Sequence, residues 1–207
     1  MSQPILMPFQ DNPFNNDTFV CEEFLKLKEK FNIKTAIETG SCLYSTTKWL
    51  GNNFDSVFTA EINEEFAKWG RHKVEAMPNV HTYISDSVEF IKGLKRALDI
   101  HGNAIFFLDA HWGDFCPLLA ELAAIADGKF HSIFNNPVIA IHDFKVPNEP
   151  NLGYDSIHGQ PFDFEWIKPS LEAIYGVDGY EYYYNSDATS TEIKRGLIYI
   201  TPKKLYA

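Results

Sequence analysis

Short apolar runs alternate with longer amphipathic segments along most of the chain. A short apolar run is typical of a buried strand, and apolar positions spaced three and four residues apart are typical of a helix packed on a sheet. This alternation predicts a mainly parallel sheet covered by helices. The apolar runs lie at 35–38, 56–62, 80–85, 104–110 and 137–144, and the helical segments lie at 19–31, 45–53, 64–76, 88–100, 118–127 and 164–176. Asn16 or Asp17 is expected to cap the first helix.

Two segments depart from this alternation. Residues 145–160 are rich in Pro, Gly, Asn and Asp, which indicates a long loop, and long loops in compact domains are often lids or binding segments. We expect residues 146–168 to cover a substrate. Residues 180–204 predict two final strands around a polar turn, and we expect both strands to run antiparallel to the rest of the sheet. The whole pattern predicts one α/β domain over 1–207, with a doubly wound, mostly parallel seven-stranded sheet, an antiparallel C-terminal hairpin, and helices on both faces.

Composition and charge narrow the classes of partner. The chain has 207 residues, of which 45% are hydrophobic, enough to bury one sizeable core. Its net charge of −10 would repel a phosphate backbone, so nucleic acid is not expected as a partner. No apolar run approaches the ~20 residues of a bilayer helix, and the N-terminus has no targeting pattern. We therefore expect a cytoplasmic protein with no membrane partner. Its three cysteines, Cys21, Cys42 and Cys116, are predicted to be unpaired thiols.

Polar side chains stand at the ends of five predicted strands. In an open parallel sheet, ligands bind beyond the carboxyl ends of the strands, where the strand order reverses. Each residue taken alone fits a helix cap or a solvated loop position, but together they are expected to lie along one edge of the sheet. The residues are Glu38, Glu61, Asp86, Asp109 and the pair His142 and Asp143.

The stretch ETGSCLYSTTKWL at 38–50 joins the first strand to the next helix. Gly40 lets the backbone approach a ligand, and the N–H groups at the helix start favour a carboxylate. Glu38 disfavours a phosphate in the same place and favours an ammonium group. A ligand that carries both groups, as an amino acid does, therefore suits this turn.

Acids at the next two strand ends fit the remainder of a nucleotide. Glu61 follows Gly40 by about 20 residues, the spacing at which an acid accepts hydrogen bonds from ribose hydroxyls in nucleotide-binding βαβ units. Glu61 could instead cap the following helix, but Asn63 is placed to do so. Asp86 and Ser87 could contact an adenine or cap the next helix, and the sequence leaves both roles open.

Two further motifs combine carboxylates with imidazoles. LDAHW at 108–112 and IHDF at 141–144 place Asp109, His111, His142 and Asp143 at two strand ends that we expect to be neighbours. Oxygen and imidazole groups of this kind can hold a divalent ion and leave room for substrate oxygens. Magnesium is the expected ion.

The order and spacing of these motifs resemble class I S-adenosylmethionine (SAM)-dependent methyltransferases, in particular the metal-dependent O-methyltransferases. AEINEEFAKW at 60–69 and LDAHW are similar to catechol O-methyltransferase. ETG, LDAHW and HDF are similar to the group of macrocin O-methyltransferase and cephalosporin-hydroxylase-like proteins. The resemblance covers roughly residues 33–148 and implies a Rossmann-like fold with SAM as cofactor.

The resemblance assigns roles by position. The methionine part of SAM would lie along the first turn, the ribose on Glu61, and the adenine against Asp86 and Ser87. Asp109 would border the cofactor as well as a divalent metal, and His111 or His142 would serve as the catalytic base. The implied methionine contacts are Glu38, Gly40, Ser41 and Ser45, and the implied metal ligands are Asp109, His142 and Asp143.

Three positions depart from the family pattern. Leu43 and Tyr44 stand where a second glycine is expected. Gly113 stands where catechol-type enzymes have a lysine that acts as base. His142 occupies a position at which the family more often has a carboxylate or an amide, so it favours a softer ion than magnesium or serves as the base itself.

These motifs together predict methyl transfer from SAM to the hydroxyl of a small acceptor, such as a sugar or a catechol, with help from a divalent metal. Two alternatives remain open. The missing lysine favours a non-catalytic SAM-binding protein of the same fold. A nicotinamide-dependent oxidoreductase is the other, although the absence of GxGxxG and the presence of Glu38 count against it. A homodimer is compatible with each of these functions.

Overall fold

The computed structural model describes residues 12–94, 103–130, 137–189 and 194–203. Within them, no helix has the length and apolarity needed to cross a bilayer. The three cysteines are unpaired, as predicted. The helices are α1 (Thr18–Lys30), α2 (Ser45–Asn53), α3 (Glu64–Gly70), α4 (Ser87–Gly93), α5 (Leu118–Phe130) and α6 (Phe164–Tyr175). The strands are β1 (Thr35–Thr39), β2 (Ser56–Glu61), β3 (Val80–Ile84), β4 (Ala104–Leu108), β5 (Val138–Ile141), β6 (Ser156–Ile157), β7 (Gln160–Pro161), β8 (Tyr180–Tyr184) and β9 (Ile198–Pro202).

Seven of these strands form one sheet in the order β3-β2-β1-β4-β5-β9-β8. Strands β1 to β5 are parallel, and the strand order reverses between β1 and β4. Strand β9 is antiparallel to both β5 and β8, so β8 points the same way as the parallel strands. The predicted fold class is confirmed, including the closing hairpin. The expectation that both final strands run against the sheet is corrected, because only β9 does.

Helices cover the two faces of the sheet because neighbouring strand residues point to opposite sides. On one face, Ala36 and Ile105 pack with Phe24 of α1 and Leu50 of α2. On the other face, the residues next to Ala36 and Ile105 along β1 and β4 pack with residues of α4, α5 and α6. Burying one such phenylalanine contributes about 1.5–3 kcal/mol. The central strands therefore read as unbroken apolar runs, whereas residues of the edge strand β3 are exposed or half-buried.

Side-chain caps start four of the helices. Asp17, Asn63, Asp86 and Asp163 each accept hydrogen bonds from backbone N–H groups in the first turn of the helix that follows. The predicted caps Asp17 and Asn63 are confirmed. Helix α3 ends at Gly70 instead of residue 76, and a 3-10 turn at Arg71–Lys73 follows it. The part of the fourth predicted helix at 95–100 lies outside the described residues.

Gly40 brings the ends of β1 and β4 into direct contact. Its φ is +76°, and a Cβ there would lie 2.3 Å from the carbonyl oxygen of Asp109 and 2.8 Å from Cα of Ala110. Gly40 was predicted to let the backbone approach a ligand. In the structure, Gly40 lets another part of the chain's own backbone come close, and this contact places Asp109 beside the first turn.

Replacing Gly40 with alanine is expected to lower the free energy of unfolding by about 3 kcal/mol. The positive φ disfavours an L side chain by about 1–2 kcal/mol, and forcing a methyl group into packed surroundings destabilises by about 1–3 kcal/mol. Urea unfolding measures the change. Gly93→Ala is the matched control, because a Cβ at Gly93 meets no atom within 4 Å. Equal stability of Gly40→Ala and the unaltered protein would contradict the close contact.

Candidate functional site

The ends of four parallel strands meet at one edge of the sheet. Backbone hydrogen bonds continue the ladder past the strands: Gly40 N donates to Ala60 O at 3.0 Å, Asp109 N to Thr39 O at 3.2 Å, and His142 N to Leu108 O at 3.2 Å. These bonds keep the residues that follow β1, β4 and β5 in register with their neighbours. The structure thereby brings the acids predicted at separate strand ends to a shared edge.

Glu38 is fully buried at this edge and is bound by hydroxyl groups. Its Oε2 accepts hydrogen bonds from the hydroxyls of Thr59, at 2.6 Å, and Thr47. Burial raises the pKa of Glu38 to about 7, against the opposing effect of these two hydrogen bonds. The two threonines were not predicted, because they come from α2 and β2 and meet Glu38 only in the folded chain.

Glu61 holds the turn between β1 and α2. Its Oε2 accepts from the backbone N–H of Cys42 at 2.7 Å, and its Oε1 accepts from that of Asn63 at 2.8 Å. Burial raises the pKa of Glu61, and these backbone hydrogen bonds act in the opposite direction. A carboxylate has about four lone-pair sites, so Glu61 can accept a further hydrogen bond beside those from the backbone.

Helix α2 begins after the first turn without a side-chain cap. Tyr44 precedes it with φ +59°, and the N-terminus of a helix favours an anion. The predicted contact Ser45 is engaged elsewhere, since its Oγ accepts from Lys73 Nζ at 2.8 Å. The Oγ of Ser41 is buried and lacks a partner of normal hydrogen-bond geometry.

A buried acid on α5 lies at the same edge. Glu121 is 1% exposed, and burial raises its pKa to about 7 despite the nearby hydroxyls of Ser87 and Thr39. Glu121 was not among the predicted site residues. The sequence feature that marks it is that it is a single acid within the apolar helical stretch LLAELAAIA. Asp86 caps α4, since its Oδ1 accepts from the N–H groups of Val88 and Glu89.

Unsatisfied polar atoms collect at this edge. Among the described residues, five buried side-chain atoms lack a partner of normal hydrogen-bond geometry, although nearly all buried polar groups in native proteins are satisfied. Glu121 lies beside the hydroxyls of Ser87 and Thr39, and His142 Nδ1 lies beside two carboxylates. A polar ligand with several donors and acceptors, such as SAM, could complete the hydrogen bonds of this group. The five atoms are Thr39 Oγ1, Ser41 Oγ, Ser87 Oγ, Glu121 Oε1 and His142 Nδ1.

Acids and histidines form a second cluster at the ends of β4 and β5. His111 Nε2 lies 2.9 Å from Asp143 Oδ2 and 3.4 Å from Asp155 Oδ2. His142 Nδ1 lies 3.4 Å from Asp109 Oδ1 and 3.2 Å from Asp143 Oδ1. Asp143 therefore lies at the centre of the cluster, with a histidine on each side.

The charges in this cluster shift one another's ionisation. Burial alone lowers the pKa of His142, but Asp143 and Asp109 outweigh it and raise that pKa well above its usual value. His111 behaves alike, since its hydrogen bond with Asp143 overcomes the effect of burial and raises its pKa. Burial raises the pKa of Asp143, yet His142, His111 and Arg195 together hold it far below its usual range.

The donor set for a metal differs from the one predicted. Asp109, His111 and Asp143 each offer a ligand atom, and these atoms all lie within 4.8 Å of one another, which fits a divalent ion in both reach and chemistry. His111, predicted as a base, belongs to this group, whereas His142, predicted as a ligand, does not. The buried His142 ring packs edge-on against Phe107, at 6.0 Å between centroids, and its Nδ1 also lies 3.4 Å from Asp109 Oδ1 and 3.2 Å from Asp143 Oδ1.

The covering segment, which we define as residues 145–163, is fastened to this cluster. It contains the small hairpin of β6 and β7, and α6 begins directly after it. Asp155 N donates to Asp143 O at 2.9 Å. Phe162 is buried, stacks on Trp166 at 5.4 Å and meets the His111 ring edge-on at 4.9 Å. The predicted loop 146–168 thus packs its own aromatic rings and also borders His111.

Two charged residues of the cluster, Asp155 and Arg195, were not predicted from the sequence. Arg195 donates from Nε to Asp143 and from Nη2 to Asp155. Neither residue stands at the end of a parallel strand, which was the signal used to select candidates. Asp155 comes from the covering segment, and Arg195 comes from the approach to β9.

Gly113, where the family pattern has a lysine, lies in an open turn. Its φ is +60°, and a Cβ there would meet no atom within 4 Å. The neighbouring Trp112 is 81% exposed. The turn holds no lysine at this position, and Asp114 and His111 are the nearest titratable side chains along the chain.

Comparison with known proteins places the fold. No model of a protein family matches the sequence, and no curated protein matches it. Among solved structures, the O-methyltransferase TomG of Streptomyces achromogenes, in complex with SAM, has a TM-score of 0.61 at 12% identity, over 88% of this chain and 79% of that one. The O-methyltransferase of Bacillus cereus, in complex with S-adenosylhomocysteine (SAH), has a TM-score of 0.59 at 15% identity, over 89% and 81%.

Solved structures of other methylases have the same fold. An rRNA methylase of Streptococcus thermophilus has a TM-score of 0.56 at 13% identity, over 92% of this chain and 98% of that one. Identities this low bear on the fold and not on the substrate. The chain has the Rossmann-like fold of class I SAM-dependent methyltransferases, as its motifs predicted.

Proposed function

We propose that this chain is a SAM-dependent O-methyltransferase that acts on a small hydroxylated acceptor, such as a sugar or a catechol. One observation carries the proposal. The buried polar atoms that suit SAM, on β1, α4 and α5, lie at the same strand edge as a histidine paired with a carboxylate. Methyl transfer needs these two parts side by side, because donor and acceptor must be held in line while the acceptor loses a proton.

The cofactor half of the site would be built from β1, β2 and the helices beside them. The N-terminus of α2 and the Ser41 hydroxyl would bind the methionine carboxylate, and Glu38 would lie beneath the amino group. Glu61 would accept hydrogen bonds from the ribose hydroxyls. Ser87, with Asp86 and Glu121 nearby, would border the adenine. When bound, SAM supplies an electrophilic methyl group on its sulfonium.

The acceptor half would be built around His111. Asp143 accepts a hydrogen bond from His111 Nε2, which fixes the orientation of the ring and leaves Nδ1 to take the proton of the acceptor hydroxyl. The raised pKa of His111 makes its neutral form a stronger proton acceptor. His142, buried between Asp109 and Asp143, would orient these two carboxylates.

A divalent metal is the second way of activating the acceptor. Asp109, His111 and Asp143 would hold it, and when bound it would act as a Lewis acid on the acceptor oxygen. The two roles of His111 exclude each other, because an imidazole nitrogen bound to a metal cannot take a proton. Magnesium remains the expected ion, although an imidazole donor also suits softer ions.

A small acceptor is favoured over RNA, although one structure of the same fold is described as an rRNA methylase. The net charge of −10 opposes a phosphate backbone. TomG, by contrast, is described as acting in tomaymycin synthesis. Phe162 of the covering segment meets the His111 ring edge-on at 4.9 Å, so this segment would border the acceptor.

The test is a methyl-transfer assay with labelled SAM and a panel of catechols and sugars, run beside calorimetric measurement of SAM binding. We expect SAM to bind and a hydroxylated acceptor to be methylated. Binding without transfer to any acceptor would favour the non-catalytic SAM-binding protein. Binding of a nicotinamide cofactor in place of SAM would overturn the proposal.

Excess chelator distinguishes the two ways of activating the acceptor. If a metal activates it, chelator should lower transfer by at least about 100-fold, the contribution of an activating group at the acceptor, and added Mg²⁺ should restore it. SAM affinity should not change, because the donor set lies on the acceptor side. Full activity in chelator would reject the metal role and leave His111 as the base.

A further inference from the structure

We propose that Arg195 is a positioning residue of the acceptor half. Its guanidinium joins Asp143 to Asp155, so that one side chain both orients the carboxylate behind His111 and holds the covering segment over the site. The inference rests on the proposed function, because it assigns Arg195 a part in that same reaction.

The contacts of Asp143 carry the first half of this argument. Arg195 Nε donates to Asp143 Oδ1, whereas His111 Nε2 lies 2.9 Å from Asp143 Oδ2. The guanidinium therefore occupies one oxygen and leaves the other aimed at the histidine. Without it, the Asp143 carboxylate could turn toward His142, whose Nδ1 lies 3.2 Å from Oδ1, and the His111 ring would lose its fixed orientation.

The contacts of Asp155 carry the second half. Arg195 Nη2 donates to Asp155 Oδ1, and Asp155 belongs to the covering segment between Tyr154 and the β6–β7 hairpin. The side chain of Asp155 is 41% exposed and that of Asp143 only 13%. Arg195 therefore links a partly exposed carboxylate of the segment to a buried carboxylate of the site.

Backbone hydrogen bonds fix both residues that flank Arg195. Gly153 N donates to Lys194 O at 2.7 Å, and Gly196 N donates to Gly153 O at 2.9 Å. Arg195 O accepts from Asn185 Nδ2 at 2.8 Å. The main chain at 195 is thus held between the covering segment and the turn after β8. The guanidinium starts from a rigid base, which is what a positioning residue requires.

The geometry calls for arginine in particular. Two carboxylates are bound through two different nitrogens of one planar fork, and a lysine ammonium is a single point charge on a flexible stem. Lysine at 195 could pair with Asp143 or with Asp155, but it would not hold both in one fixed arrangement. Arg195→Lys therefore separates the fork from the charge alone.

The experiment compares Arg195→Ala, Arg195→Lys and Asp155→Asn with the control Lys194→Ala. Lys194 is the adjacent residue, and it pairs with Asp187 on the surface. We expect Arg195→Ala and Arg195→Lys to lower kcat about 100-fold, the effect of misplacing a reacting group by about 1 Å. Asp155→Asn should mainly raise the KM of the acceptor, and SAM affinity and the control should match the unaltered protein. Guanidinium salt should partly restore Arg195→Ala.

Two readouts need no catalysis. Imidazole NMR of His111 should report loss of the Asp143 hydrogen bond in Arg195→Ala, and hydrogen exchange should rise in the covering segment of both Arg195→Ala and Asp155→Asn. An unaltered protein that transfers no methyl group would overturn the proposed function, and these two readouts would then decide the positioning role. Full activity of Arg195→Lys, or unchanged NMR and exchange in Arg195→Ala, would overturn the inference itself.

Discussion

Replacing Asp143 with asparagine is expected to lower the rate of methyl transfer by about 1,000-fold, in the middle of the range for loss of general base catalysis. Asp143 serves both ways of activating the acceptor, because its Oδ2 orients His111 and it is also one of the three candidate metal donors. An amide would place either a neutral oxygen or an N–H group against His111. The histidine would then lose the charge that favours its protonated form.

The substitution was chosen to preserve the backbone. Asp143 has φ +57°, a conformation that asparagine and aspartate tolerate and that strains alanine. A loss of activity in Asp143→Asn therefore reports the charge and not a distorted turn. The rate constant at saturating acceptor measures the effect, and SAM affinity measured by calorimetry should stay unchanged.

Asp187→Asn is the control for this prediction. Asp187 also pairs with a basic side chain, Lys194, but at the surface, and its loss should leave the rate unchanged. Transfer by Asp143→Asn at the rate of the unaltered protein would remove Asp143 from the acceptor half, and with it the proposed pairing with His111.

Replacing Glu61 with glutamine is expected to weaken SAM binding about 100-fold. Hydrogen bonds to a charged group contribute about 1.5–3 kcal/mol each, and a factor of ten in affinity corresponds to about 1.4 kcal/mol. Losing the charge at two ribose hydroxyls therefore amounts to about two factors of ten. The glutamine NH₂ would also face the N–H of Cys42 or Asn63, both of which now donate to Glu61.

Calorimetry with SAM and with SAH checks this prediction. Both share the ribose, so both should lose affinity by the same factor, whereas a change confined to SAM would point to the sulfonium. Glu64→Gln is the control, because Glu64 is exposed and pairs with Lys68 within α3. Unchanged affinity of Glu61→Gln for both ligands would place the ribose elsewhere.

The fold was predictable because its signals are local. Each central strand is buried on both faces, which favours an apolar run. Each helix between two strands buries one apolar stripe against the sheet. The caps Asp17 and Asn63 followed from their position before an apolar segment. Helix α3 was predicted too long, since no glycine or proline signal at residues 71–76 competes with its periodicity.

The candidate site was predictable only along the strand ends. Glu38, Glu61, Asp109 and Asp143 stand where parallel strands stop, and topology alone brings such residues together. Whether His111 or His142 offers the third ligand atom beside Asp109 and Asp143 depends on side-chain direction, which a pattern of residue types does not contain. Glu121 and Arg195 approach the site from α5 and from the segment before β9, so their nearness is a product of packing.

The sequence by itself determined the alternation of strands and helices, the parallel sheet and the row of acids at its edge, because burial and periodicity act on neighbours along the chain. Only the tertiary structure decided the partners of those acids. Thr47 and Thr59 turn Glu38 inward, and Gly40 seats Asp109 against the first turn. Arg195 ties Asp143 to Asp155. Contacts of this kind join distant segments, and hydrogen-bond geometry, which depends on distance and direction in space, selects them.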